Sequence, residues 1–193
     1  MLLFSAKSHA QLAIVAGGNY ATIRNNIPLE NKKPITTYHY GLSVQYYPVK
    51  KLEKFSVINE IIFNQKGYQQ DFEKNYLFRF SYLSLPVLIN FAPLSFFSVQ
   101  AGAELSKLMG TSVEQGKKTY NNFDAGLVFG FSCFDSRKLS FYSRMTYGIV
   151  PMLDYYSIDE IGNFTGEIRD LKNICLSVGI KFKLYNEKIC LFK

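Results

Sequence analysis

Between residues 11 and 183 apolar side chains recur at every second position, over stretches as long as the strands of a closed β-sheet. In 37–46, Tyr38, Tyr40, Leu42, Val44 and Tyr46 alternate with Thr37, His39, Gly41, Ser43 and Gln45. Leu83, Leu85, Val87, Ile89 and Phe91 alternate with Tyr82, Ser84, Pro86, Leu88 and Asn90. The same beat runs through Phe97–Ser106, Phe123–Ser132 and Asn173–Phe182. A helix of period 3.6 cannot produce it. The pattern predicts strands at 11–22, 36–47, 55–66, 77–91, 96–109, 122–134, 139–149 and 171–183. Each is near or above the ~9–11 residues that a tilted strand needs to cross a bilayer.

The connections alternate in length. Long ones are expected at 23–35, 67–76, 110–121 and 150–170, and short ones at 48–54, 92–95 and 135–138, the second with Pro93 in its turn. Membrane barrels show this asymmetry, with short turns on the periplasmic side and longer loops outside. The longest uncharged run, 80–103, contains Pro86, Pro93 and Gly102 and reads as two strands rather than one spanning helix.

Composition supports interleaving over blocks: hydrophobic residues make up 48% of the 193, yet the mean hydropathy is −0.02. Alternation alone leaves open which face is inside. Two features favour an apolar outer wall. The apolar face carries more Phe, Tyr and Leu than the narrow interior of a soluble eight-stranded barrel can pack. The other face is rich in Gly and Ser and holds charges of both signs: Glu60, Glu104, Asp124, Arg144 and Lys181, with His39 among them. Inside a narrow lumen these would pair into a structural polar network. The expectation is an all-β, eight-stranded antiparallel up-and-down transmembrane β-barrel with a polar, filled lumen and no open pore.

Several segments form a recognisable set: Tyr82-Leu83-Ser84-Leu85-Pro86-Val87-Leu88-Ile89-Asn90, Val99–Leu105, Asn122–Gly130, Arg144-Met145-Thr146-Tyr147-Gly148-Ile149, the closing Leu176–Phe182 and an opening Gly17-Gly18-Asn19. In these the chain resembles the PorT-like outer-membrane β-barrel family. The resemblance implies an outer-membrane location in a Gram-negative bacterium. It implies no specific activity, because most members have none assigned.

Residues 1–10 read as the remnant of a secretory signal, with Ser8-His9-Ala10 as a small-x-small cleavage pattern, 11–183 as the barrel domain, and 184–193 as a C-terminal tail. The three cysteines, Cys133, Cys175 and Cys190, form no C-x-x-C pair and read as small apolar fillers. No cofactor or metal site is expected. A net charge of +7 comes without a basic helix or a nucleic-acid motif, so no nucleic-acid partner is expected. Lys32, Lys33, Lys117 and Lys118 lie in long loops, where they are candidate contacts to lipid headgroups, lipopolysaccharide or a protein partner. Asn163-Phe164-Thr165, in the longest loop, matches a glycosylation sequon of the kind that arises by chance.

Catalysis has one candidate constellation. His39 and Ser43 share a face of one strand, and Glu60 lies on the polar face of the next. That set could serve a lipid-modifying enzyme, although no G-x-S-x-G motif accompanies it. Enzymatic activity is not expected. The other alternative is a soluble, lipocalin-like carrier, which requires the apolar face to point inward.

Overall fold

The computed structural model describes residues 9–25, 31–48, 54–71, 75–112, 120–158, 161 and 164–190. The strands are β1 (His9–Asn25), β2 (Lys32–Lys33), β3 (Ile35–Tyr46), β4 (Phe55–Asp71), β5 (Asn75–Leu94), β6 (Phe97–Thr111), β7 (Phe123–Cys133), β8 (Leu139–Gly148), β9 (Leu153–Ile158) and β10 (Phe164–Cys190). Eight of them follow one another round the sheet in the order β1-β3-β4-β5-β6-β7-β8-β10, and β10 pairs back onto β1. All pairings are antiparallel, and the β1–β10 pairing closes the sheet, leaving no free edge along this ring. Closure is what a sheet in hydrocarbon requires, because no water is present to satisfy an open edge. β2 and β9 lie outside the ring, pairing with β4 and β10 in extensions beyond it.

The side-chain beat maps onto the wall as the alternation predicts. Leu85, Val99, Leu127 and Phe129 point outward, with Leu85 46% and Phe129 56% exposed. Glu60, Glu104, Asp124, Arg144, Lys181 and His39 point inward and are buried. A soluble carrier would have the reverse arrangement, so the lipocalin-like reading fails on this point.

Aromatic side chains bound the outer wall at both ends. Phe55 stacks on Phe91 at 4.7 Å near the short turns, with Phe97 against Phe131 close by. At the other end Phe63 lies 5.3 Å from Tyr40, which stacks on Tyr38. Such girdles mark the two interfaces of a bilayer. The ends of β1 and β10, Ser95–Phe96 and 134–138 share the short-turn end.

The strands are longer than expected at several ends. β4 runs on to Asp71 and β5 begins at Asn75, paired through Asp71↔Asn75, so most of the 67–76 connection is an extended hairpin. Residues 150–170 contain β9 and the start of β10. The β5–β6 turn falls at Ser95–Phe96 rather than around Pro93, after a register shift between Phe91 and Leu94. His9 and Ala10 pair with Cys190 and Ile189, so the strands extend past both expected domain boundaries, at 10 and 184. Residues 1–8 and 191–193, and Asn163 of the sequon, lie outside the described residues. Closure explains the gain in length: a ladder partner recruits residues whose own sequence carries no strand signal.

Candidate functional site

The lumen is packed in three zones. Its centre holds a salt bridge across the full width of the barrel. Arg144 on β8 donates from Nη1 to Glu60 Oε2 on β4 at 2.5 Å and from Nη2 to Glu60 Oε1 at 3.1 Å. Its Nε donates to Gln100 Oε1 at 2.8 Å. A guanidinium and a carboxylate match in this forked geometry, which fixes direction as well as charge. Lys181 Nζ stands 3.8 Å from Glu60 Oε1, beyond hydrogen-bond range, and has no hydrogen-bond partner among the described residues.

Nearer the loop end, Lys66 Nζ donates to Glu104 Oε1 at 2.8 Å and to Asp124 Oδ2 at 3.2 Å. Ser106 and Ser84 add hydroxyl donors to the same Glu104 oxygen at 3.0 and 3.4 Å, and Asn173 Nδ2 donates to Asp124 Oδ2 at 2.9 Å. Lys66 is only 1% exposed. It continues the even-numbered face of Glu60 and Asn64, and its last position in the expected strand hid it from the sequence reading.

His39 does not meet Ser43 or Glu60 in a catalytic relay. Its Nδ1 lies 2.7 Å from Asn19 Oδ1 and its Nε2 lies 2.5 Å from the Tyr142 hydroxyl. Asn19 Oδ1 also accepts from Ser177 Oγ at 2.8 Å, while Asn19 Nδ2 donates to Asn64 Oδ1 at 2.8 Å. This network assigns the imidazole proton to Nδ1 and leaves Nε2 to accept from Tyr142. Both ring nitrogens are thus committed, and Glu60 is held by Arg144. Asn19 and Tyr142 were missed in the sequence because polar residues are frequent on that face and nothing local says which ones meet across the ring.

The third zone is apolar. Beyond Lys66, Ile23, Tyr68, Phe80, Tyr82, Leu108, Met152 and Leu171 form one buried cluster, with Tyr120 edge-on to Phe80 at 4.8 Å. The expected polar lumen is therefore capped by an apolar plug. There the strands rise past the outer aromatic girdle, where the wall meets water instead of lipid, and apolar residues pack inward as in a soluble barrel. In the middle of the lumen a void of about 20 Å3, bordered by His39, Glu104, Tyr142 and Arg144, has room for about one water. At the short-turn end a wider vestibule of about 570 Å3 opens among Gln45, Ser56, Asn90, Asp135 and Lys183.

Of the loop lysines, Lys32 Nζ donates to the Ile23 carbonyl at 2.7 Å and to Asn25 Oδ1 at 3.3 Å. Lys33 is paired with Asp71 at the tip of the β4–β5 hairpin. Gln69 Nε2 also donates to Asp71 Oδ1, at 2.6 Å. The hydrogen bond from Lys33, then that from Gln69, holds the Asp71 carboxyl below the usual carboxylate range. Lys117 and Lys118 lie outside the described residues.

A family model of the outer membrane protein β-barrel domain matches residues 5–154. The chain belongs to this family. Its location is accordingly the outer membrane, which agrees with the apolar wall and the two girdles. Among solved structures this outer-membrane barrel is similar to neisserial surface protein A, at a TM-score of 0.51 and 15% identity over 91% of this chain and 99% of that one. It is also similar to OprG of Pseudomonas aeruginosa, at a TM-score of 0.43 and 11% identity over 93% and 95% of the two chains. Ail of Yersinia pestis aligns at a TM-score of 0.45 and 14% identity over 91% and 99%. These identities establish likeness of fold alone. No curated protein matches the chain.

Proposed function

We propose that this outer-membrane barrel is a non-enzymatic structural or binding module of a Gram-negative bacterium, of PorT-like type, that acts through its outward-facing loops. The observation that carries this reading is the filled lumen. The Arg144–Glu60 bridge, the Lys66 cluster and the apolar plug lie one above another, so among the described residues the interior offers no route for a solute. The same network is the role we assign to Glu60, Glu104, Asp124, Arg144, Lys181 and His39: it ties opposite walls together. Specificity then belongs to 23–35, 67–76, 110–121 and 150–170. Lys117 and Lys118 are the cations offered there to lipopolysaccharide phosphate or to an acidic partner, whereas Lys32 is committed to the Ile23 carbonyl and Lys33 to Asp71.

The test is twofold. The purified chain, folded into a planar bilayer, adds no steady conductance. Its retention on a lipopolysaccharide-coated surface falls when Lys117 and Lys118 are together replaced by Gln. A stable single-channel current would overturn the filled-lumen reading, and unchanged retention would remove the lysines from it.

A further inference from the structure

β4 carries a polar side chain where the bilayer is most apolar. Its outward positions between the girdles read Phe55, Val57, Asn59, Ile61 and Phe63. Asn59 is exposed and stands midway, four residues from the aromatic at either end. Four residues of tilted strand rise about 10 Å. Among the described outward positions between the girdles, Ser143 on β8 is the only other polar side chain, and it is half-buried. A serine hydroxyl can bond a carbonyl of its own strand. An exposed carboxamide has two donors and an acceptor to satisfy, and beyond the backbone ladder to Val44 and Val87 no hydrogen bond joins the Asn59 side chain to any described residue.

Lipid cannot meet that need. Polar headgroups lie about 15 Å from the midplane of a ~30 Å hydrocarbon layer, several times the reach of an Asn side chain. Hydrocarbon offers nothing else, so the partner must be a protein group at the same depth. The surroundings allow close approach. Asn59 pairs in register with Val44 on β3 and Val87 on β5, and Val87 pairs with Ala103 on β6. These short side chains make a low strip across four strands, and along β4 it lies between Phe55 and Phe63.

We propose that this strip is the contact between two copies of the chain, joined about a two-fold axis along the membrane normal, with Asn59 of each copy hydrogen-bonded to Asn59 of the other. A second copy is the favoured occupant for two reasons. A carboxamide is self-complementary, each donating to the other's carbonyl. A two-fold axis along the normal also places both Asn59 residues at one depth without further design, as an isologous interface requires. An unrelated barrel would need its own polar group at that height.

The full chain is folded into vesicles at falling protein-to-lipid ratio, and dimer fraction is read by single-molecule photobleaching. Asn59→Val is expected to weaken association by roughly tenfold to a hundredfold, as the loss of two interchain hydrogen bonds in lipid implies. Asn59→Gln, which keeps the carboxamide, should retain most of it, and Ser143→Ala should leave it unchanged. Heat-modifiability on a gel confirms that each variant is folded. In a second measurement, Asn59→Cys with Cys133, Cys175 and Cys190 changed to Ser should form a disulfide-linked dimer when native outer membranes are treated with a membrane-permeant oxidant such as iodine, which takes up the two electrons. Monomers at every dilution, an unaltered dimer fraction in Asn59→Val, or a cross-link solely to a different polypeptide would each overturn the proposal.

Discussion

Arg144 and Glu60 face each other across the barrel from strands four places apart on a ring of eight, and the guanidinium holds both carboxylate oxygens, at 2.5 and 3.1 Å. No other pair of described groups joins opposite walls through two hydrogen bonds. Removing the cation leaves Glu60 buried without its main partner. Arg144→Met should therefore destabilise the folded barrel by about 3–5 kcal/mol. Glu60→Gln in the same chain should recover much of the loss, because it removes the stranded charge. Urea unfolding in vesicles, followed by gel mobility, measures both, and additive effects of the two changes would show that the pair is not coupled.

Lys66 is shared between Glu104 and Asp124, so its loss strands two carboxylates instead of one. Lys66→Met should be at least as damaging as Arg144→Met, at about 3–5 kcal/mol or more. Glu104→Gln alone should cost less than Lys66→Met, since Asp124 still balances the lysine. Ranking the three unfolding midpoints checks this order.

Closure at the β1–β10 seam depends on a glycine. Gly17 pairs with Gly179, and a Cβ on Gly17 would lie 2.2 Å from the Val178 carbonyl oxygen and 2.7 Å from His39 Cε1. Backbone cannot yield as a flexible side chain can. Gly17→Ala should raise the fraction of unclosed, heat-insensitive protein after refolding and lower the unfolding midpoint, whereas Gly110→Ala, with open space around it, should do neither. Equal refolding yields for the two variants would refute the steric argument.

The hairpin tip is tied down electrostatically by Lys33 and Asp71. Because the folded-state pKa of Asp71 is depressed, the tie is fully present above the ordinary Asp value of about 4 and is lost as pH falls through the lower, folded value. Amide exchange at residues 69–71 should thus be steady from neutral pH down to about 4, after correction for intrinsic rates, and quicken below it. Asp71→Asn should show the quick exchange throughout. A pH response that survives in Asp71→Asn would assign it to another group.

How much of the site was legible depends on which relation is asked for. Parity along a strand is local, and Glu60, Glu104, Asp124, Arg144, Lys181 and His39 could all be assigned to one face by counting. Lys66 obeys the same count but sat at an expected strand end, so its rule was visible and its burial was not. Asn59 likewise falls on the apolar face by parity, where one polar residue among valines is easily passed over. The side on which the apolar face lies needed a volume argument, since alternation reads the same from inside and outside.

The sequence by itself determined the strand succession, the two faces and the long-short order of the connections, because each follows from neighbours a few residues apart and from the pleat. Only the tertiary structure decided that Arg144 meets Glu60 and not Glu104, that Lys66 bridges two carboxylates, that His39 answers to Asn19 and Tyr142, and that Ile23, Phe80 and Leu171 seal the loop end. Those meetings are set by strand tilt and stagger when the ring closes, and contacts across a lumen join residues as far apart in the chain as Glu60 and Arg144, a separation over which local patterning carries no register.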